Sequence, residues 1–240
     1  MTDTENTADA GSQSSALSQL ANLFVAPSQA LDYADHHPKM WWLPLGILLL
    51  LNAAIGIWVA LTINLAAMHA MMVAAIKKAN PEHAEQAIRL ISNHGRGYVI
   101  LGVVIGLIAL VFIELIYALY LFLADKIVSA DSRSFGRWFS FTTWTWLPIS
   151  LAYIAAMIAW GVSSHSGAFA QGDVTSLNAL FFHLQPQDRL FKLAQFSILQ
   201  FWVIGLVVYG LKRWCRHGTG KAVTIALIPY IVVYGLIFLL

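Results

Sequence analysis

The sequence has few charged residues and a single cysteine, and each scarcity restricts what the protein can be. Only 11% of its 240 residues are Asp, Glu, Lys or Arg, whereas 59% are hydrophobic. Soluble domains carry about 25% charged residues, so this chain lacks the charge to cover a water-facing surface. The lone Cys215 excludes an internal disulfide framework. A net charge of +2, with the basic residues scattered, predicts no nucleic-acid partner.

The N-terminal residues also lack the features of a cleavable signal peptide. Residues 1–15 are acidic and rich in Ser and Thr, whereas a signal peptide opens with positive charge and continues into an apolar core. This composition predicts a disordered polar tail. Residues 16–40 predict a cytoplasmic amphipathic segment, in which Leu17, Leu20 and Phe24 share a face and Pro27 separates two short helices.

Long apolar runs fill the rest of the chain. A hydrocarbon core about 30 Å thick requires roughly 20 apolar residues in a helix. Five stretches of residues 41–240 meet this length, at about 41–64, 98–123, 141–161, 196–214 and 222–240. We therefore predict an all-α, polytopic membrane helical bundle with about five transmembrane helices and amphipathic interfacial helices.

A further amphipathic pattern lies between the first two predicted spans. After Asn80 and Pro81, apolar residues recur at helical spacing, at Ala84, Ala87, Ile88 and Ile91. A helix lying on the membrane and a helix packed on the other spans both fit this pattern.

Tryptophans cluster at the ends of the predicted spans. Amphipathic rings are enriched where a membrane meets water, so we expect six of the nine to face the interface: Trp41, Trp42, Trp144, Trp146, Trp160 and Trp214. The deeper Trp58 and Trp202 are expected to pack between helices.

The distribution of Lys and Arg predicts the orientation of the chain. With five spans, the N-terminal tail shares a side with the second and fourth connections, which are short and therefore weigh most. That side carries eight basic residues and the opposite side six: Lys39, Lys126, Arg133, Arg137, Lys212, Arg213, Arg216 and Lys221 against Lys77, Lys78, Arg89, Arg96, Arg189 and Lys192. We predict a cytoplasmic N-terminus and an outward C-terminus.

Glu114 is the one charged residue well inside a predicted span. A carboxyl group at that depth is costly and marks a candidate functional site. Its candidate partners are Asn52 and Asn64 of the first span, Tyr117 one turn along its own helix, and a hydroxyl of the third span. A clasp between helices and a proton or ion relay are the two alternatives, and the clasp is favoured because a relay usually contains several acidic or histidine residues in series.

Small residues and prolines predict how the spans pack and bend. Gly102 and Gly106 form a GxxxG pattern in the second span, which allows close approach of a helix from the same chain or another. Pro148 and Pro229 each remove a backbone hydrogen bond within a span, so both helices should bend unless neighbours compensate.

Motifs for catalysis and for cofactor binding are missing from the sequence. It has no phosphate-binding glycine loop, no Ser/His/Asp set and no paired acids, so we predict no enzyme activity and no cofactor. Five of the eight histidines fall on the predicted outer side, but none has metal-site spacing, so no metal site is predicted: His69, His83, His94, His165 and His183.

The order of features along residues 17–240 resembles the YIP family of five-span membrane proteins, first known as interactors of Ypt/Rab GTPases, and in particular its bacterial branch. The residues that carry the resemblance are Leu23 to Ser28, Trp41 to Pro44, Ser134 to Gly136, Phe139-Ser140, Leu147-Pro148, Ser176-Leu177, Phe201-Trp202, Gly205-Leu206, Thr219 to Ala222 and Ile228 to Tyr230. The resemblance implies a cytoplasmic N-terminal segment, five helices and an outward C-terminus. The Asp-Leu-Tyr-Gly-Pro motif of eukaryotic members is missing, which argues against a Rab-type GTPase partner.

These observations favour a non-enzymatic protein of the bacterial inner membrane that binds lipids, a protein partner or a second copy of itself within the bilayer. A small transporter or channel that uses Glu114 is the first alternative. A membrane-embedded enzyme is the second.

Overall fold

A computed structural model describes residues 15–79, 85, 95–128, 132–163, 173–186 and 188–239. These residues form helices and turns, with one isolated antiparallel bridge between Ser176 and Ser197, so the predicted all-α class is confirmed. The polar tail and the amphipathic pattern of residues 80–91 lie outside the described residues, apart from Ser15 and Glu85.

Five helical stretches are long and apolar enough to cross a membrane, which confirms the predicted number: Pro38–Thr62, Arg96–Val128, Phe135–Val162, Ile198–Cys215 and Thr219–Leu239. The α-helices are α1 (Ala16–Val25), α2 (Pro27–His36), α3 (Trp42–Thr62), α4 (Leu65–Ala79), α5 (Arg96–Val128), α6 (Phe135–Trp146), α7 (Ser150–Val162), α8 (Phe191–Ala194), α9 (Ile198–Cys215) and α10 (Thr219–Leu239). A 3₁₀ turn at Leu147–Ile149, which contains Pro148, joins α6 to α7 within one span.

The helices α1 and α2 separate at Pro27, as predicted, but they pack into the bundle. Leu23, Ala30, Leu31 and Ala34 are fully buried in the main core. The apolar face of α1 differs from the predicted one, because Leu17 is exposed. The N-terminal segment is therefore a structural part of the membrane domain.

The core beside α2 is built from aromatic rings of α6 and α9. Trp138, Phe141 and Trp214 meet with ring centroids 4.7 to 5.7 Å apart. A glycine in α9, Gly210, admits this cluster: a Cβ atom there would lie 2.2 Å from Phe141 Cε2. The close approach of α9 to α6 thus depends on the missing side chain.

The tryptophans do not follow the predicted distribution. Trp144, Trp160 and Trp214 are buried inside the protein, so the expectation that they face the membrane interface is wrong. Trp58 and Trp202, expected between helices, are 38% and 39% exposed. Hydropathy locates a ring along a span but does not show towards which side of the helix it points.

Candidate functional site

Glu114 lies on the buried stripe of α5, with Leu110, Tyr117, Ala118 and Leu121 at helical spacing. Its side chain is fully buried, and neither carboxyl oxygen has a hydrogen-bond partner among the described residues. The hydroxyl of Thr142, on α6, lies near enough to interact with this carboxyl group. Its hydrogen, however, is donated to Phe139 O at 3.0 Å. Among the described residues, the carboxyl group is thus enclosed without a hydrogen-bond donor.

Of the predicted partners of Glu114, Thr142 provides the nearby hydroxyl of the third span, and the two asparagines bond other groups. Asn52 Nδ2 donates to the hydroxyl of Tyr153 at 3.3 Å. Asn64 Oδ1 accepts from Ala67 N at 3.1 Å and caps the start of α4. Tyr117 shares the buried stripe with Glu114, and its hydroxyl oxygen is also buried without a hydrogen-bond partner. The structure therefore places Tyr117 beside Glu114, whereas both asparagines make hydrogen bonds with other groups.

A cavity of about 580 Å³ opens between α5 and α10 within the membrane-spanning part of the chain. It is lined by Ile113, Ile116, Tyr117, Tyr120, Trp146, Gln200, Ile228, Pro229, Tyr230, Val232, Val233 and Tyr234. None of these residues is charged at neutral pH. No pattern in the sequence predicted this cavity, although pairs of tyrosines one turn apart, such as Tyr230 and Tyr234, face it from both helices.

The polar tips of the lining side chains are turned away from the cavity or paired. Tyr234 donates from its hydroxyl to Gln200 Oε1 at 3.3 Å. The hydroxyl oxygens of Tyr117 and Tyr230 and the indole nitrogen of Trp146 are buried in the protein. The cavity therefore presents ring faces and aliphatic side chains, which suit an apolar occupant.

Pro229 forms one wall of this cavity and leaves a backbone carbonyl free. A proline has no N–H to donate to the carbonyl four residues earlier, which in α10 belongs to Ile225. The hydroxyl of Tyr120 on α5 donates to Ile225 O at 2.7 Å. A side chain of the neighbouring helix thus replaces the missing backbone donor, as transmembrane helices require.

Acidic residues of α2 bind Arg133, which precedes α6, and basic residues of α6 and α9 at one end of the bundle. The Arg133 guanidinium donates to both carboxylate oxygens of Asp35, at 3.3 and 3.2 Å, and Arg137 lies 3.7 Å from Asp35. Arg213 Nε donates to Asp32 Oδ1 at 2.6 Å, and this hydrogen bond lowers the pKa of Asp32 below its usual value. We call this end, which also holds the α5–α6 and α9–α10 connections, the N-terminal side.

Asp125 of α5 is bonded to Arg133 and to Trp138 of α6. One of its carboxylate oxygens accepts from Arg133 N at 2.8 Å and from Trp138 Nε1 at 3.1 Å. Cys215 Sγ lies 3.5 Å from the other oxygen. These contacts let α5 continue past a charged residue and orient Arg133 towards Asp35.

The two glycines of the GxxxG pattern lie on an open face of α5. Gly102 and Gly106 are exposed, and no atom of the described chain lies within 4 Å of a Cβ built at either position. By contrast, a Cβ at Gly56 of α3 would lie 2.7 Å from Val103 Cγ2. Gly56 therefore serves packing within the chain, whereas no described residue covers the Gly102–Gly106 face.

The described residues contain no group of three His, Cys, Asp or Glu side chains arranged to hold a metal ion. Of the five histidines predicted on the outer side, His83, His94 and His165 lie outside the described residues.

Comparison with known proteins places the chain in a family. The Yip1 domain matches residues 21–240, which include all five spans and the cavity. The chain has no match among curated proteins or solved structures. It belongs to the Yip1 family of integral membrane proteins.

Proposed function

We propose that this Yip1-family protein is a non-enzymatic membrane protein that acts by binding protein or lipid partners within the bilayer. The observation that carries this proposal is the large exposed surface of α5. Only 11% of the most apolar stretch of Arg96–Val128 is buried inside the protein, against 33% for Phe135–Val162. Among the described residues, this stretch of α5 therefore offers most of its side chains to the surroundings.

The Gly102–Gly106 face is the part of this surface best suited to a partner helix. Small residues allow two helix backbones to approach closely, and their packing drives association in lipid. Both glycines have open space above them, so a partner could reach the α5 backbone without displacing any described atom. A second copy of the chain and another membrane protein both fit this face.

Site-specific photo-crosslinking in native membranes tests the proposal. A photoreactive residue at Ala109, which is exposed seven residues after Gly102, should form protein adducts. The double substitution of Gly102 and Gly106 by Leu should abolish them and leave the fold unchanged, because both sites are open. A photoreactive residue at the exposed Val104, on the other side of α5, is the matched control.

Two results would contradict this function. The first is that Ala109 forms no protein adducts and that no lipid stays bound to the protein through purification. The second is an adduct yield at Ala109 that is unchanged in the double glycine variant.

A small transporter or channel is the second candidate, and the state of Glu114 favours it. A fully buried carboxyl group without a hydrogen bond is costly, and it adjoins Tyr117, which lines the cavity. Proton or ion flux in liposomes that disappears in Glu114→Gln would support transport over the binding role. Equal leakage from empty, wild-type and variant liposomes would exclude it. An enzyme, the third candidate, would need a catalytic set, whereas the polar lining groups are hydroxyls, an indole and an amide.

We also propose that the protein lies in a bacterial cytoplasmic membrane with its N-terminal side in the cytoplasm. The ion pairs of α2 support this orientation, because they place Arg133, Arg137 and Arg213 on one side and basic residues favour the cytoplasm. A reporter that is active only outside the cytoplasm should be active when fused to Leu240. An inactive but well-expressed fusion would reverse the orientation.

A further inference from the structure

We propose that the cavity between α5 and α10 binds one acyl chain of an anionic phospholipid, whose phosphate lies at Arg189. This inference deepens the proposed function, because it names one lipid partner and the residues that recognise it. Two separate observations support it: an apolar cavity within the spans, and a cation located one helical turn beyond the end of that cavity.

The wall of the cavity selects hydrocarbon over a polar ligand. Its lining is aliphatic or aromatic except for Gln200, whose side-chain oxygen is already bonded to Tyr234. A volume of about 580 Å³ lies within the range of roughly 300–1,000 Å³ that small-molecule sites occupy. The cavity opens between two membrane-spanning helices, so a lipid chain can enter from the bilayer.

The direction of the cavity assigns it to one leaflet. Gln200 is the third residue of α9, and Tyr234 lies near the end of α10, so both are at the membrane boundary opposite the N-terminal side. Ile228 and Tyr230 lie near the middle of α10. A chain that enters at Gln200 and Tyr234 therefore points towards the bilayer centre, as the chains of that leaflet do.

Arg189 supplies the charge for a headgroup at this entrance. Its guanidinium group lies 5.0 Å from the ring centroid of Phe238, and Phe238 follows Tyr234 by one turn of α10. One helical turn is about 5.4 Å along the axis, which places the cation just outside the cavity. Arg189 is exposed, and its donors match the oxygens of a phosphate.

The competing occupants fit less well. A protein side chain would reach the cavity only on a partner helix, which is about 10–12 Å wide, whereas an acyl chain enters singly from the bilayer. Water would meet a wall with few polar partners, although a buried water needs two to four. A neutral lipid would offer the Arg189 guanidinium no net negative charge.

Native mass spectrometry of the full-length protein in zwitterionic micelles tests the proposal, with phosphatidylglycerol and phosphatidylcholine as separate probes. Wild-type protein should bind one phosphatidylglycerol more tightly than phosphatidylcholine. Ile116→Trp, which places an indole ring at the cavity wall, should abolish binding of both. Ile105→Trp is the matched control, because Ile105 is an exposed residue of α5 outside the cavity.

A second pair of variants tests the headgroup. Arg189→Gln should weaken phosphatidylglycerol about fivefold, since a cation near an anionic lipid contributes about 1 kcal/mol, and should leave phosphatidylcholine unchanged. Lys126→Gln is the control, because Lys126 also lies over a ring, 4.9 Å from the centroid of Phe122, but on the N-terminal side.

Three results would overturn the inference: no bound lipid, equal binding in Ile116→Trp and wild type, or no loss of phosphatidylglycerol affinity in Arg189→Gln. The proposed function would survive any of them if protein adducts at Ala109 persisted. Loss of the adducts with intact lipid binding would instead refute the protein partner alone.

Discussion

The packing of Gly210 against Phe141 gives the most direct test of the fold. In Gly210→Ala the new Cβ would lie 2.2 Å from Phe141 Cε2 and 2.5 Å from Cζ. Carbon atoms in contact are normally about 3.5–4.0 Å apart, so the ring or the helix must move by more than 1 Å. Phe141 is fully buried between Trp138 and Trp214, which leaves the ring no space to move.

The expected cost follows from these distances. Overpacking a filled core costs about 1–3 kcal/mol, and the enclosed ring places Gly210→Ala near the upper limit. Alanine regains up to about 1 kcal/mol of helix propensity over glycine, so the net loss should be about 2 kcal/mol. Gly205→Ala on the same helix has nothing within 4 Å of its Cβ, so it should be neutral or up to about 1 kcal/mol more stable.

The free energy of unfolding in mixed micelles, followed by tryptophan fluorescence during titration with a denaturing detergent, measures both variants. The two values should differ by about 2–3 kcal/mol. If Gly210→Ala and Gly205→Ala have equal stability, α9 does not approach α6 as closely as the structure shows.

Two further predictions concern polar contacts. Tyr120→Phe removes the donor to Ile225 O and should lower the free energy of unfolding by about 1–3 kcal/mol. The loss should be smaller in a Pro229→Ala background, because residue 229 then regains an N–H for that carbonyl. Equal losses in the two backgrounds of a double-mutant cycle would contradict this role of Tyr120. The lowered pKa of Asp32 means that its pair with Arg213 stabilises the fold at neutral pH, and that this contribution is lost as the pH falls below about 4. Asp32 is 41% exposed, so the loss of stability should stay below about 1 kcal/mol. The stability of Asp32→Asn should depend less on pH in this range. Identical stability–pH curves for variant and wild type would refute a stabilising role of the Asp32–Arg213 pair.

The five spans could be predicted from the sequence because a bilayer sets both the length and the composition of a helix that crosses it. The end of the second span could not. Hydropathy ends it near Leu123, whereas α5 continues to Val128. Asp125 remains in the helix because its carboxylate accepts hydrogen bonds from Arg133 N and Trp138 Nε1. A hydropathy scale counts the charge of Asp125 but not these hydrogen bonds.

The burial of α2 and the cavity left no local signal in the sequence. Ala30 and Ala34 are small residues that become core only where α6 and α9 lie against them. The cavity combines residues from four helices, and its shape depends on which ring faces which neighbour. Glu114 could be identified as unusual from its position alone, but whether any donor reaches it depends on the rotation of α5 against α3 and α6.

The contacts of α2 also have a consequence for the order in which the protein is assembled. Asp32 is paired with Arg213, which lies 181 residues later in the chain, and Leu31 packs in the same core as Leu211. Ribosomes synthesise the N-terminal part first, so α2 is complete long before α9 exists to receive it. The ion pair of Asp32 and the packing of α2 on α9 can therefore form only after the fourth span has been synthesised, whereas the packing of α2 on α6 can form earlier.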